Sequence, residues 1–200
     1  MEHGFDATYW TQHWSQASGD GHGSHPAQAH LAREVDGLTP GTALDAGCGA
    51  GAEAIWLAER GWRVVAADIA AAPLARGAER AARAGLGDRV EWVEADLTVW
   101  EPAAEFDLVT THYAHPAMPQ LAFYERIARW VAPGGTLLIV GHLHSPGHGH
   151  HPAEASVTVA DIVAGLDRTR WKVVTAEERL NDVGHAEPLR DAVVRAVRVG

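Results

Sequence analysis

The chain has 200 residues, 46% of them hydrophobic, and a formal net charge of −10 at pH 7. That suits one α/β domain with a sizeable core, and no run approaches the roughly 18 apolar residues of a membrane-spanning helix. Lys172 is the only lysine among 16 basic residues, which argues against a broad electrostatic footprint for nucleic acid. One cysteine allows no internal disulfide, and the opening MEHGFDATYW lacks the basic start and apolar core of a signal peptide, so a cytoplasmic protein is expected.

Residues 1–26 read as an irregular lead, with Tyr9, Trp10, His13 and Trp14 followed by the glycine-rich GDGHGSHP. Aromatic residues in so polar a tail need something apolar to cover, either a ligand, as a flap would, or the core itself. Ser24 and Pro26 signal a helix start, with Leu31, Val35 and Leu38 on one face and Pro40 and Gly41 as the stop. Residues 42–60, TALDAGCGAGAEAIWLAER, read as strand, glycine turn and helix in succession. After Gly61 a second strand covers 62–68. An alanine-rich helix runs from Pro73 to about residue 84, where Gly85 and Gly87 close it, and a third strand spans 90–95.

A fourth strand covers 106–112, and Pro119 opens a helix with Leu121, Tyr124, Ala128 and Val131 on one face. Pro133, Gly134 and Gly135 predict a turn, and the fifth strand starts at Thr136. A histidine-rich loop, 143–155, leads to Thr158, an N-cap with Asp161 three residues on, and to a helix face of Val159, Ile162, Val163 and Leu166. Alternation predicts two closing strands, 171–180 and 192–199, as an antiparallel pair at or near a sheet edge.

The glycine turn is the informative stretch. Gly47, Gly49 and Gly51 permit dihedrals that a side chain forbids and let a ligand approach the backbone, whose amides are expected to point at it. Asp45 precedes them, Asp68 ends the second strand, and Asp96 follows the third within EADL, residues 94–97. An acid followed by G-x-G-x-G, with further acids at the next two strand ends, resembles the motifs of the class I S-adenosylmethionine-dependent methyltransferases, of the small bacterial type. The glycines also satisfy the dinucleotide fingerprint through Gly47, Gly49 and Ala52, with Asp68 about 20 residues on. Asp45 helps to tell the two readings apart, since a carboxylate there would repel a pyrophosphate, whereas S-adenosylmethionine carries a cationic sulfonium.

The resemblance covers residues 45–142 in its motifs and the closing hairpin in pattern. It implies an α/β, doubly wound, mostly parallel seven-stranded sheet of order 3-2-1-4-5-7-6 with helices on both faces. One domain, 1–200, is expected, comprising the flap (1–26), a cofactor-binding core (42–142) and a closing part (143–200). It further implies that S-adenosylmethionine is bound by Trp10, Asp45, Ala46, Gly47, Gly49, Asp68, Ile69, Ala95, Asp96, Leu97 and His112. Asp68 would receive both ribose hydroxyls, and its replacement is expected to leave the stability of the free protein almost unchanged.

Catalysis needs in-line approach, exclusion of water and, for an acidic acceptor, a base. His112, Tyr113 and His115 follow the fourth strand at the substrate end and are the candidate catalytic residues. His142 and His144 are the fallback pair. His148, His150 and His151 lie in a flexible glycine-rich context with Glu154 as the one nearby carboxylate, so no metal site is expected. Cys48 is expected to be a small packed residue. The THYAHP stretch lacks the N-P-P-Y or D-P-P-Y of nucleic-acid amino methyltransferases, which favours a small-molecule acceptor attacking through oxygen, nitrogen, sulfur or a metalloid. The chain broadly resembles small tellurite-resistance and thiol-methylating enzymes. An NAD-dependent oxidoreductase and a non-catalytic cofactor binder are the alternatives, and the residues leave oligomeric state open.

Overall fold

The computed structural model describes residues 5–16, 29–143, 157–181 and 189–200. Seven strands form one sheet: β1 (Thr42–Ala46), β2 (Arg63–Asp68), β3 (Val90–Glu94), β4 (Phe106–His112), β5 (Val131–His142), β6 (Trp171–Asn181) and β7 (Leu189–Arg198). Their order is β3-β2-β1-β4-β5-β7-β6, as the family pattern implies. The first five pair in parallel, and β7 inserts antiparallel between β5 and β6. Among the described residues six α-helices accompany them: α1 (Ala7–Gln16), α2 (Ala29–Val35), α3 (Ala52–Glu59), α4 (Ala71–Arg83), α5 (Gln120–Ala128) and α6 (Val159–Gly165).

Helices cover both faces, so the central strands carry continuous apolar runs rather than alternation. One core gathers Phe123, Ile127, Leu137 and Ile139 with Ile162 beneath α5 and α6. The other joins Leu31 and Leu57 to Trp62, Leu108, Leu138 and Val193 beneath α2 and α3. Ala192, Val193 and Val194 are consecutively buried because β7 is an interior strand with both faces covered, leaving β6 at the edge.

Several boundaries differ from the sequence expectation for physical reasons. The lead is not wholly irregular: residues 7–16 form α1, started by the Asp6 carboxylate, which accepts from Tyr9 N–H at 2.9 Å. The expected start of α2 at Ser24 and Pro26 lies outside the described residues. Leu31 and Val35 are buried as expected, and the helix stops before Gly37, whose φ is 82°. Pro73 sits at the third position of α4, still within the first turn, where its missing N–H costs nothing.

Val131 belongs to β5, not α5, and Leu121 is exposed; Tyr124 and Ala128 face the core as expected, joined by Phe123 and Ile127. The expected Pro-Gly-Gly turn is a bulge inside β5. Phe106 pairs with Val131 and Leu108 with Thr136, so the surplus residues loop out between two paired positions. The Thr158 and Asp161 capping box on α6 is formed as read.

Candidate active site

Strand order reverses between β1 and β4, and in open α/β sheets ligands lie outside the carboxyl ends of the strands at such a point. A cavity of about 320 Å³ opens there. It is lined by the loop after β1, the ends of β2 and β3, the segment after β4, and Phe5, Trp10 and Trp14, before and within α1. Of the residues implied by the motifs, Trp10, Asp45, Gly47, Gly49, Asp68, Ile69, Ala95, Asp96, Leu97, His112, Tyr113 and His115 line it. Ala46 does not. It is wholly buried in β1, and its carbonyl accepts from Thr111 Oγ1 at 2.8 Å.

The glycine loop is held differently from the expectation. The N–H groups of Gly47 and Cys48 both donate to Ala67 O, at 2.8 and 3.1 Å, and that of Gly51 donates to Cys48 O at 2.8 Å. Gly49 N–H donates to Asp68 Oδ2 at 2.8 Å. These amides brace the loop against β2 and do not point at a ligand. The glycines are needed for shape: Gly47 has φ 79°, and a Cβ on it would meet Ala114 Cβ at 2.3 Å. Cys48 is packed, and burial pushes its thiol well above the ordinary range.

Asp68 therefore has two tasks. Its Oδ2 holds Gly49 and its Oδ1 accepts from Ala70 N–H at 2.9 Å, leaving the further lone pairs for a ligand. Burial raises its pKa while these backbone bonds oppose the rise. Asp96 is exposed, and its Oδ1 accepts from Thr98 N–H at 2.9 Å and Thr98 Oγ1 at 2.7 Å, so Oδ2 is the oxygen outside that turn.

Two buried polar atoms in the cavity wall have no protein partner: Asp45 Oδ2 and His112 Nε2. Asp45 is 1% exposed, and its pKa stands well above the ordinary value because of desolvation first, then Glu53 and Asp68. A buried carboxyl with one oxygen unpartnered, beside two further acids, suits a cation, the electrostatic need of a sulfonium and an ammonium. It is the wrong sign for a pyrophosphate, and the amides of Gly47, Cys48, Gly49 and Gly51 are already engaged, which disfavours the dinucleotide reading. His112 is buried, and desolvation, its largest influence, holds its imidazole below the usual range. Its Nδ1 lies 3.4 Å from Thr110 Oγ1.

The neighbouring segment is shaped by groups that the motifs did not disclose. Tyr113 has φ 56°, a left-handed backbone that costs a non-glycine residue roughly 1–2 kcal/mol. Its hydroxyl donates to Asp191 Oδ2 at 2.6 Å, and its ring stacks on His142 at 4.0 Å between centroids. Asp191, fully buried on β7, also meets His142 Nδ1 at 2.8 Å and His30 Nε2 at 3.2 Å. Burial would raise its pKa, but these hydrogen bonds together hold the carboxyl far below the usual range. The sequence reading began the last strand at residue 192 and so left Asp191 just outside it, whereas it lies within β7. His142 is thus tied to this cluster, while His144, His148, His150, His151 and Glu154 lie outside the described residues. His115 Nδ1 is 3.3 Å from Gln120 Oε1, and its carbonyl accepts from Trp10 Nε1 at 3.2 Å, which docks α1 over the cavity.

Residues 43–135 match the model of a methyltransferase domain. The chain is 39% identical over 102 residues to trans-aconitate 2-methyltransferase of Azoarcus sp. (strain BH72), covering 49% of this chain and 38% of that protein. It is 29% identical over 136 residues to probable thiol methyltransferase 2 of Arabidopsis thaliana, covering 66% of this chain and 60% of that one. The chain therefore spans only part of the length of these curated relatives. Among solved structures, magnesium protoporphyrin IX methyltransferase from Synechocystis PCC 6803 with bound S-adenosylhomocysteine superposes with a TM-score of 0.67 at 20% identity. That match covers 84% of this chain and 80% of that one, a likeness of fold. The sheet order and the strand-end acids agree with that match, and residues 43–135 are similar to a methyltransferase domain.

Proposed function

We propose that the chain transfers a methyl group from S-adenosylmethionine to a small-molecule acceptor. The observation that carries this reading is the pairing, in one cavity, of a cation-suited Asp45 Oδ2 with an unpartnered His112 Nε2. Asp45, Asp68, Asp96 and the braced glycine loop would hold the cofactor, with Ile69, Ala95 and Leu97 as its apolar flank. When bound, the cofactor supplies an electrophilic methyl group on a sulfonium. This chain's own residues then have three tasks. Phe5, Trp10 and Trp14 cover the cavity and exclude water. The segment 112–117 places the acceptor for in-line approach. His112, neutral near pH 7 because burial disfavours its charged form, accepts the acceptor's proton at Nε2. His115 and Tyr113 shape the wall through their bonds to Gln120 and Asp191.

The net charge, the lone lysine and the small cavity support a small molecule over nucleic acid as partner. Among the described residues no helix is long and apolar enough to cross a membrane, and the single cysteine supports a cytoplasmic setting. Thermal melting tests the reading. S-adenosylhomocysteine at 100 times its dissociation constant should stabilise the fold by about 2.7 kcal/mol, and NAD should not. A shift with NAD and none with S-adenosylhomocysteine would refute it. Radiolabelled methyl transfer across small acceptors then separates an enzyme from a binder.

A further inference from the structure

The end of the cavity beyond the cofactor's acids presents ring faces and almost no polar tips. Phe5 stacks on Trp10 with centroids 6.0 Å apart and tilts against His115 at 5.6 Å. The polar ends of these rings and of Tyr113 are drawn to protein partners. Trp10 Nε1 donates to His115 O, Tyr113 Oη donates to Asp191, and His115 Nδ1 lies against Gln120. Among the fully buried side-chain atoms of the described residues, His112 Nε2 lacks a protein partner at this end.

Charge points the same way. Of the 16 Lys and Arg residues, only Arg80 lines the cavity, and its guanidinium donates to Ala50 O at 3.3 Å, on the glycine-loop side. The segments outside the described residues contain neither Lys nor Arg. The lining acids are Asp45, Glu53, Asp68 and Asp96. A di- or tricarboxylate would have to bury its charges here without a guanidinium or ammonium to pair them, which is strongly unfavourable. A flat apolar body loses nothing by leaving water for an aromatic wall.

Resting on the methyltransferase reading, we propose that the acceptor is an uncharged, ring-bearing molecule with one hydroxyl or thiol. Its body lies against Phe5, Trp10 and Tyr113, and its single polar hydrogen meets Nε2 of His112. This separates the chain from its trans-aconitate-methylating relative, whose named substrate is a tricarboxylate.

The test is calorimetric titration with S-adenosylhomocysteine present, so that binding is read without turnover. The probes are para-cresol, its methyl ether, thiophenol and trans-aconitate. Para-cresol and thiophenol should bind, the ether about tenfold or more weakly than para-cresol, and trans-aconitate without measurable heat. In His112→Phe the preference for para-cresol over the ether should vanish. Should that variant fail to fold, the wild-type comparison of para-cresol with its ether carries the test. Trans-aconitate binding more tightly than para-cresol overturns the proposal, as does equal binding of para-cresol and the ether. A normal melting shift with S-adenosylhomocysteine but no heat from either para-cresol or thiophenol removes this proposal alone. Absence of that shift removes the methyltransferase reading with it.

Discussion

Replacing Asp68 by Ala takes away two backbone anchors as well as a ligand contact. Oδ2 holds Gly49 N–H at 2.8 Å and Oδ1 holds Ala70 N–H at 2.9 Å. Hydrogen bonds to a charged group contribute about 1.5–3 kcal/mol each, so the pair sets an upper bound of about 3–6 kcal/mol. Two effects reduce it. The carboxyl is itself desolvated, as its raised pKa records, and water from the cavity can reach the vacated amides. About 2–4 kcal/mol remains, which in a chain of this length lowers the melting temperature by roughly 4–16 °C. Asp68→Asn keeps one acceptor oxygen but turns an amide against the other donor, and should lose about half as much. Calorimetric melting of both variants without ligand, then titration with S-adenosylhomocysteine, separates the roles. Affinity should fall at least tenfold in Asp68→Ala. A ligand-free melting temperature within about one degree of wild type would refute the bracing role and return Asp68 to ligand contact alone.

Asp45 has a raised pKa because it is buried among acids, so a cationic ligand should drive off its proton and bind more tightly as pH rises. Titrations of S-adenosylmethionine in buffers of different ionisation enthalpy should show proton release, absent in Asp45→Asn; no release in wild type would sink the assignment. The folded pKa of His112 lies below 6.5, so the turnover limb at saturation should rise through an ionisation below that value and then stay flat toward neutrality. The sign is the same for stability: His112 disfavours the fold as pH drops below 6.5 toward the folded pKa, so His112→Gln should lessen the acid loss of stability while lowering turnover about 100-fold. A limb above pH 7 would contradict a buried neutral base.

Asp191 has a depressed folded pKa, so its contribution is present above about 4 and is lost as pH falls through the folded value. Asp191→Ala leaves buried His30 and half-buried Tyr113 and His142 without their shared acceptor and should cost about 3–5 kcal/mol in denaturant unfolding at pH 7. A loss under about 1 kcal/mol would show the cluster to be loosely held.

The order of elements, the glycine loop and the acids at the ends of β1, β2 and β3 were legible in the sequence because each is a local pattern. A strand, a sharp turn and a helix must be contiguous in the chain, and the residue at a strand's carboxyl end faces the crevice whatever lies elsewhere. Tertiary structure decided what those residues hold. The amides of Gly47 and Cys48 turn to Ala67, some 20 residues away, because β1 and β2 pair in parallel and bring that carbonyl beneath the turn. The Pro-Gly-Gly segment became a bulge because Val131 already pairs with Phe106. Asp191 reaches His30 across 161 positions only because β7 runs antiparallel beside β5 and sets Asp191 opposite His142. No local periodicity encodes a contact made by strand register, so the carboxylate that holds the Tyr113 wall became visible only when the sheet was assembled.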